Sequence, residues 1–183
     1  YWGANFMFKP DINELKEFTD DKYNIIPVSM EILSDIKTPI EVLKILKNND
    51  EHCFLLESVE KSENWGRYSF LGFKPSIEIT CRNNKMRIKE GKNVREFESQ
   101  TPQNIISELI SQYKSPRFTY LPTFTGGLVG YFAYDFIKYF EPGLNLDAKD
   151  TENFKDVDLM LFDKIIAFDN KRQKIILITN IKT

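Results

Sequence analysis

Hydrophobic and polar positions along the chain change period several times, and each change marks an element. In Pro10–Phe18, Ile12, Leu15 and Phe18 recur at helical spacing and predict a short amphipathic helix. Asn24–Met30 reads as an extended stretch around Pro27. A second helix opens with Thr38 as N-cap and Pro39 at its first position. Ile40, Leu43 and Leu46 carry its apolar period, and Asn48-Asn49-Asp50 end it. From Cys53 the pattern becomes that of short strands: Cys53–Glu57, Arg67–Gly72, Ser76–Arg82, Lys85–Lys89 and Val94–Phe97. Asn83-Asn84 and Glu90–Asn93 have the composition of tight hairpin turns.

Pro102 starts another helix, with Ile105, Ile106, Leu109, Ile110 and Tyr113 on one face, stopped before Pro116. Gly127–Phe132 reads as a strand, Tyr134–Lys138 as a short helix, and Pro142–Lys155 as a polar loop. Val157–Leu161 does not separate strand from helix. Lys164–Asp169 and Lys174–Asn180 form a hairpin through Asn170-Lys171-Arg172-Gln173. Many hairpins and three to four flanking helices predict an α+β fold, mainly antiparallel β-sheet and two-sheet sandwich-like.

Composition narrows the class. A length of 183 residues suits one domain with a sizeable core, and 15 Phe with 8 Tyr favour strands over a helical bundle. A net charge of −2 offers no basic face for nucleic acid, and no apolar run reaches the length of a membrane span. Nothing at the start resembles a signal peptide, so a cytoplasmic location is expected. Tyr-Trp-Gly-Ala-Asn-Phe, residues 1–6, read as a remnant ahead of a native start at Met7. The chain stops at Thr183 directly after an apolar strand, as a domain cut from a longer protein would.

No self-contained active site emerges. His52 is the only histidine and reads as a surface residue before a strand, so no Ser-His-Asp arrangement is available. Cys53, Cys81 and one His cannot make a four-ligand zinc site. Gly126-Gly127 and Gly130 lack the lysine of a phosphate loop and the full dinucleotide fingerprint.

Two segments stand apart. Phe54-Leu55-Leu56-Glu57-Ser58 ends an apolar strand in a carboxylate and a hydroxyl, and Arg67 and Ser69 open the next strand. A carboxylate for an ammonium, a guanidinium for a carboxylate and apolar walls are what a zwitterionic amino acid needs. The plainer alternative is a Glu57–Arg67 cross-strand pair that binds nothing. The second segment, Phe124–Asp135, sets glycines at 126, 127 and 130 among aromatics, the composition of close backbone approach or of a tightly packed sheet core.

These segments, with Tyr139-Phe140-Glu141 and Leu159–Asn180, resemble in order and spacing the amino-terminal region of anthranilate synthase component I. The resemblance implies that residues 7–183 are an amino-terminal, regulatory domain, inactive alone, with the carboxy-terminal chorismate-binding domain absent. It implies a parent lyase that converts chorismate and ammonia to anthranilate and pyruvate, with Mg²⁺, at the first step of tryptophan synthesis. The ammonia would come from glutamine through a glutamine amidotransferase, component II. No catalytic residue and no Mg²⁺ ligand carries over to this chain. What carries over is half of an inhibitor site for tryptophan. The family's Leu-Leu-Glu-Ser motif matches Leu55–Ser58, and the expected contacts are Leu56, Glu57, Ser58, Arg67 and Ser69. Glu57 and Ser58 would meet the ligand's amino group, and Arg67 its carboxylate. Aminodeoxychorismate synthase component I is the nearest rival, isochorismate and salicylate synthases are weaker ones, and a stand-alone amino-acid-binding module is the rival from another class.

Overall fold

A computed structural model of the chain describes residues 7–18, 22–35, 37–57, 66–141, 143–144 and 151–183. Residues 1–6, Ser58 and part of the Pro142–Lys155 loop, all named above, lie outside the described residues. The elements run β1 (Phe8–Lys9), α1 (Ile12–Glu17), β2 (Ile25–Leu33), α2 (Pro39–Asn49), β3 (Cys53–Leu56), β4 (Tyr68–Phe73), β5 (Ile77–Arg82), β6 (Lys85–Glu90) and β7 (Asn93–Glu98). They continue as α3 (Pro102–Ser111), β8 (Gly127–Phe132), a 3-10 turn at Tyr134–Tyr139, β9 (Val157–Phe162), β10 (Lys164–Asp169) and β11 (Lys174–Lys182). The fold is α+β, with mostly antiparallel strands in two sheets.

Where the length suggested one domain, the chain divides into two compact units. The first gathers Tyr1–Pro75, Tyr113–Gly126 and Phe162–Thr183; the second gathers Ser76–Gln112 and Gly127–Leu161.

The first unit holds a six-stranded sheet in the order β1-β2-β11-β10-β4-β3. Residues opposite each other in a sheet share a face, and their neighbours point the other way. The register Leu55↔Leu71↔Ile166↔Leu177 therefore defines one face, which also carries Ser69, Phe168, Ile175 and Ile32. Against that face α2 packs Val42, Leu43 and Leu46 over Leu71, Phe168 and Ile175. Thr38 caps α2 by accepting from the Glu41 N–H, and the Thr38 N–H donates in return to the Glu41 carboxylate, a capping box that fixes where the helix begins. The other face carries Phe54 and Phe70, whose rings meet Phe124 and Phe162 edge-on at centroid distances of 4.8–6.4 Å.

The second unit holds a five-stranded sheet in the order β7-β6-β5-β9-β8. Strict alternation in β5 puts Ile77, Ile79 and Cys81 on the buried face, and Ile88↔Ile79↔Leu159 and Met86↔Cys81↔Val157 form rows across it. The β5–β6 hairpin turns at Asn83 and Asn84, both at positive φ, the conformation an Asn pair tolerates best after Gly. The buried Tyr139 hydroxyl locks this turn: it accepts from the Asn84 N–H at 3.0 Å and donates to Asp156 Oδ2 at 2.8 Å.

Several expectations shift. Val157–Leu161 is strand β9, extended by one residue; the run Leu-Met-Leu-Phe is apolar on both faces, which blurs a period of two. The predicted face of α1 is only partly covered: Leu15 and Phe18 are half-buried, Phe18 against the Phe118 ring, and Ile12 is 74% exposed. Helix α3 stops at Ser111, short of Tyr113. The pairing of β1 with Ser29 and Met30 adds an edge strand too short for periodicity to register. Pro27 sits inside β2 opposite Asn180, past the end of β1, where a missing N–H costs no ladder bond on that side.

Candidate functional site

The end of the first unit's sheet, where β3 stops and β4 begins, collects the polar groups. Leu56 is the last residue of β3, opposite Phe70, and is 48% exposed. Glu57 follows as an exposed residue just beyond the ladder. Arg67 precedes β4 and is likewise outside the alternation, next to Gly66 at positive φ. Because β4 lies between β3 and β10, the carboxyl end of β10 is brought to the same rim, with Asp169 opposite Tyr68 and Phe168 opposite Ser69.

Two hydrogen-bonded groups form there. Ser69, a buried residue on the α2 face, donates from Oγ to Glu57 Oε1 at 3.4 Å and accepts from Asn170 Nδ2 at 3.4 Å. Arg67 does not pair with Glu57; its Nε and Nη2 donate to Asp169 Oδ1 and Oδ2 at 3.1 and 2.6 Å. The Asp169 carboxylate is fully enclosed, whereas the Arg67 side chain is 35% exposed. Asp169 Oδ1 also accepts the N–H groups of Lys171 and Arg172, and the Asn170 N–H donates to the Arg67 carbonyl at 2.9 Å. The Arg67 guanidinium lies over the Tyr68 ring, 4.8 Å from its centroid.

These contacts set the electrostatics. Burial pushes the Asp169 carboxyl upward, but the Arg67 guanidinium and the Arg172 and Lys171 N–H groups outweigh it and hold it below the usual carboxylate range. The bond to Asp169 raises Arg67 above its ordinary value, so it is a permanent cation. Burial, then the Asp169 charge, raises the Tyr68 phenol.

Of the expected contacts, Glu57 and Ser69 are in contact on the α2 face, Leu56 is half-exposed on the opposite face with Phe70, and Ser58 is outside the described residues. The Glu57–Arg67 pair offered as the plain alternative is replaced by Arg67–Asp169. Sequence reading missed Asp169 and Asn170. The one available signal was an Asp closing an apolar strand immediately before a turn, and Asp and Asn are ordinary turn residues in that position. A separate groove of about 450 Å³, lined by Phe73, Lys164, Ile166 and Leu177 among others, opens at the other end of β4 and β10. Among the described lining residues the one cation, Lys164, is paired with Asp163 at 2.9 Å. Among the described residues no group of three or more His, Cys, Asp or Glu could hold a metal ion, and no helix is long and apolar enough to cross a membrane.

A rim that joins an exposed carboxylate, a buried serine and a clamped arginine on a six-stranded antiparallel sheet is set within a wider likeness. The family described as chorismate binding enzyme matches residues 51–183, and the chain belongs to that family. Within it the chain is similar to the anthranilate synthase component 1 of Acetivibrio thermocellus, 37% identical over 175 residues, covering 96% of this chain and 35% of that protein. It is also similar to the protein of the same name from Aquifex aeolicus, 35% identical over 164 residues, covering 90% of this chain and 33% of the relative. The crystal structure of anthranilate synthase component I from Streptococcus pneumoniae matches with a TM-score of 0.51 and 28% identity, over 81% of this chain and 31% of that one. The chain thus spans about a third of the length of these relatives.

Proposed function

We propose that this chain is the amino-terminal part of an anthranilate synthase component 1 and carries part of its tryptophan feedback-inhibition site. The parent protein converts chorismate and ammonia to anthranilate and pyruvate, with ammonia delivered by a glutamine amidotransferase partner, in the cytoplasm. Its chorismate site and its Mg²⁺ ligands lie in sequence outside this chain.

The observation that carries the reading is the contact between Ser69 and an exposed Glu57 at the same sheet end as the Arg67 guanidinium that Asp169 orients, in a chain whose relatives bear this name. An ammonium docks on Glu57, a carboxylate meets Arg67, and Leu56 supplies an apolar flank. Bound tryptophan favours a state of the parent enzyme with a poorer chorismate site, and chorismate weakens tryptophan binding by the same factor.

The test is inhibition kinetics on the complete enzyme. Glu57→Lys and Ser58→Leu should each raise the tryptophan concentration for half-inhibition at least tenfold while the uninhibited rate stays within about twofold. Inhibition that persists unchanged in both variants counts against the site.

A further inference from the structure

A sheet ends in strands whose outer N–H and C=O groups pair with nothing, and folded proteins guard such edges with charges, Pro or short length. The five-stranded sheet of the second unit has two such edges, and their chemistry differs. At one edge β7 reads Asn-Val-Arg-Glu-Phe-Glu, and its Glu96 pairs across the ladder with Arg87 of β6 at 3.3 Å. Charges at Arg95, Glu96 and Glu98 discourage a further strand. At the other edge β8 reads Gly-Leu-Val-Gly-Tyr-Phe, with neither a charge nor a Pro.

Neighbouring β9 holds one side of β8 so closely that a Cβ on Gly130 would meet the Asp158 carbonyl. Among the described residues no strand holds the other side. The second half of β8 is exposed, Tyr131 by 40% and Phe132 by 50%, although the Phe132 ring lies 4.8 Å from that of the buried Phe136. An uncharged apolar edge left in water is a template for another strand. About two-thirds of the relatives' length lies outside the part this chain matches, which is ample to supply one. Within one polypeptide such a strand meets the edge at an effective concentration on the order of millimolar, ahead of a dilute second copy.

We infer that the outer edge of β8 is a strand-docking edge, completed by an extended, uncharged segment from the part of the parent protein outside this chain. The segment pairs through main-chain hydrogen bonds, and its apolar side chains lie beside Tyr131 and Phe132. The inference rests on the reading of the chain as part of a longer enzyme and is independent of the rim in the first unit.

The experiment is amide hydrogen exchange, resolved by residue, on this chain and on the complete parent enzyme. Alternate amides of an edge strand point away from its one neighbour, so in the chain alone those of β8 and of β7 exchange fast. In the complete enzyme the outward β8 amides should slow by about a hundredfold or more, while those of β7 stay fast. Outward β8 amides that remain fast in an enzyme that tryptophan still inhibits overturn the inference and leave the proposed function standing. Slowed amides in a parent protein that makes no anthranilate would do the reverse. If Tyr131 and Phe132 become buried while these amides stay fast, something other than a strand covers the patch, and the docking edge is refuted. Slowing that appears in the chain alone and grows with its concentration makes a second copy the occupant, and the assignment to the parent fails. A variant gives an independent readout: Tyr131→Lys puts a charge on the edge. Its unfolding midpoint should stay within about 2 °C of the unmodified value in this chain, where Tyr131 is partly solvated, and fall by more than about 5 °C in the complete enzyme. Equal shifts in the two proteins count against a docked strand.

Discussion

At the scale of single residues, the Arg67–Asp169 pair has the largest electrostatic consequence. Asp169 is fully enclosed and held below the ordinary carboxylate range, so the folded state favours its ionised form. Its contribution to stability is therefore complete above the unfolded value of about 3.9 and is lost as pH falls through the lower, folded value. Arg67→Met would leave burial as the main influence on a carboxylate that had been paired. We expect it to cost about 2 kcal/mol at pH 7, less than a fully buried pair because Arg67 is partly solvated. The gap to the unmodified chain should narrow as pH falls toward 3, because the variant's Asp169, no longer held down by the guanidinium, protonates at a higher pH than that of the unmodified chain. Chemical denaturation at pH 7 and pH 3 checks this, and a gap that widens in acid would refute it. The sequence made Arg67 legible as a cation opening a strand, but not its partner. That partner lies 102 positions away, and only the β4–β10 register joins them. Glu57 with Ser69 was within reach of sequence reasoning because adjacent antiparallel strands bring a strand's end to its neighbour's beginning.

At the scale of elements, glycines separate tight approach from simple turning. Gly130, in β8, has φ of 152°, and a Cβ there would collide with the Asp158 carbonyl of β9. Backbone cannot swing aside as a side chain can, so Gly130→Ala should cost about 3 kcal/mol. Gly91, in the β6–β7 turn, has φ of 58° and nothing within 4 Å of such a Cβ. Gly91→Ala should therefore cost only the left-handed penalty, about 1 kcal/mol. Thermal unfolding of the two variants side by side should rank them in that order, and equal losses would show that backbone proximity is not what Gly130 serves. The glycine cluster was visible in the sequence as a sign of close approach, although its target strand was not. Likewise the hairpins β5–β6, β6–β7 and β10–β11 were legible because turn composition and alternation are local. The order β1-β2-β11-β10-β4-β3 was not, since β2 meets β11 across most of the chain. The short helix expected within Pro10–Phe18 forms as α1, but its apolar stripe is only partly covered: Phe18 meets Phe118 while Ile12 stays exposed, because periodicity reports a stripe of apolar residues and not how much of it is covered.

At the scale of the whole molecule, two sheets in two compact units replace the single core that length suggested, and the rim belongs entirely to the first of them. Among its described residues that unit supplies charges, a serine and one half-exposed leucine at the sheet's end. Leu56 is 48% exposed, and Glu57 and Arg67 both face water. Ligand sites that hold small molecules tightly bury most of the ligand's surface, and an indole ring left in solvent forgoes the apolar part of its binding energy. Charged contacts in water contribute modestly, because solvent screens them and competes for the same donors. The chain by itself should therefore bind L-tryptophan with a Kd on the order of millimolar, some 4 kcal/mol in free energy. Affinity should fall further when salt is raised, since screening acts on both ionic contacts. A calorimetric or NMR titration that instead gave micromolar affinity would mean that this third of the relatives' length already encloses the indole, and the assignment of the remaining wall to sequence outside the chain would be wrong.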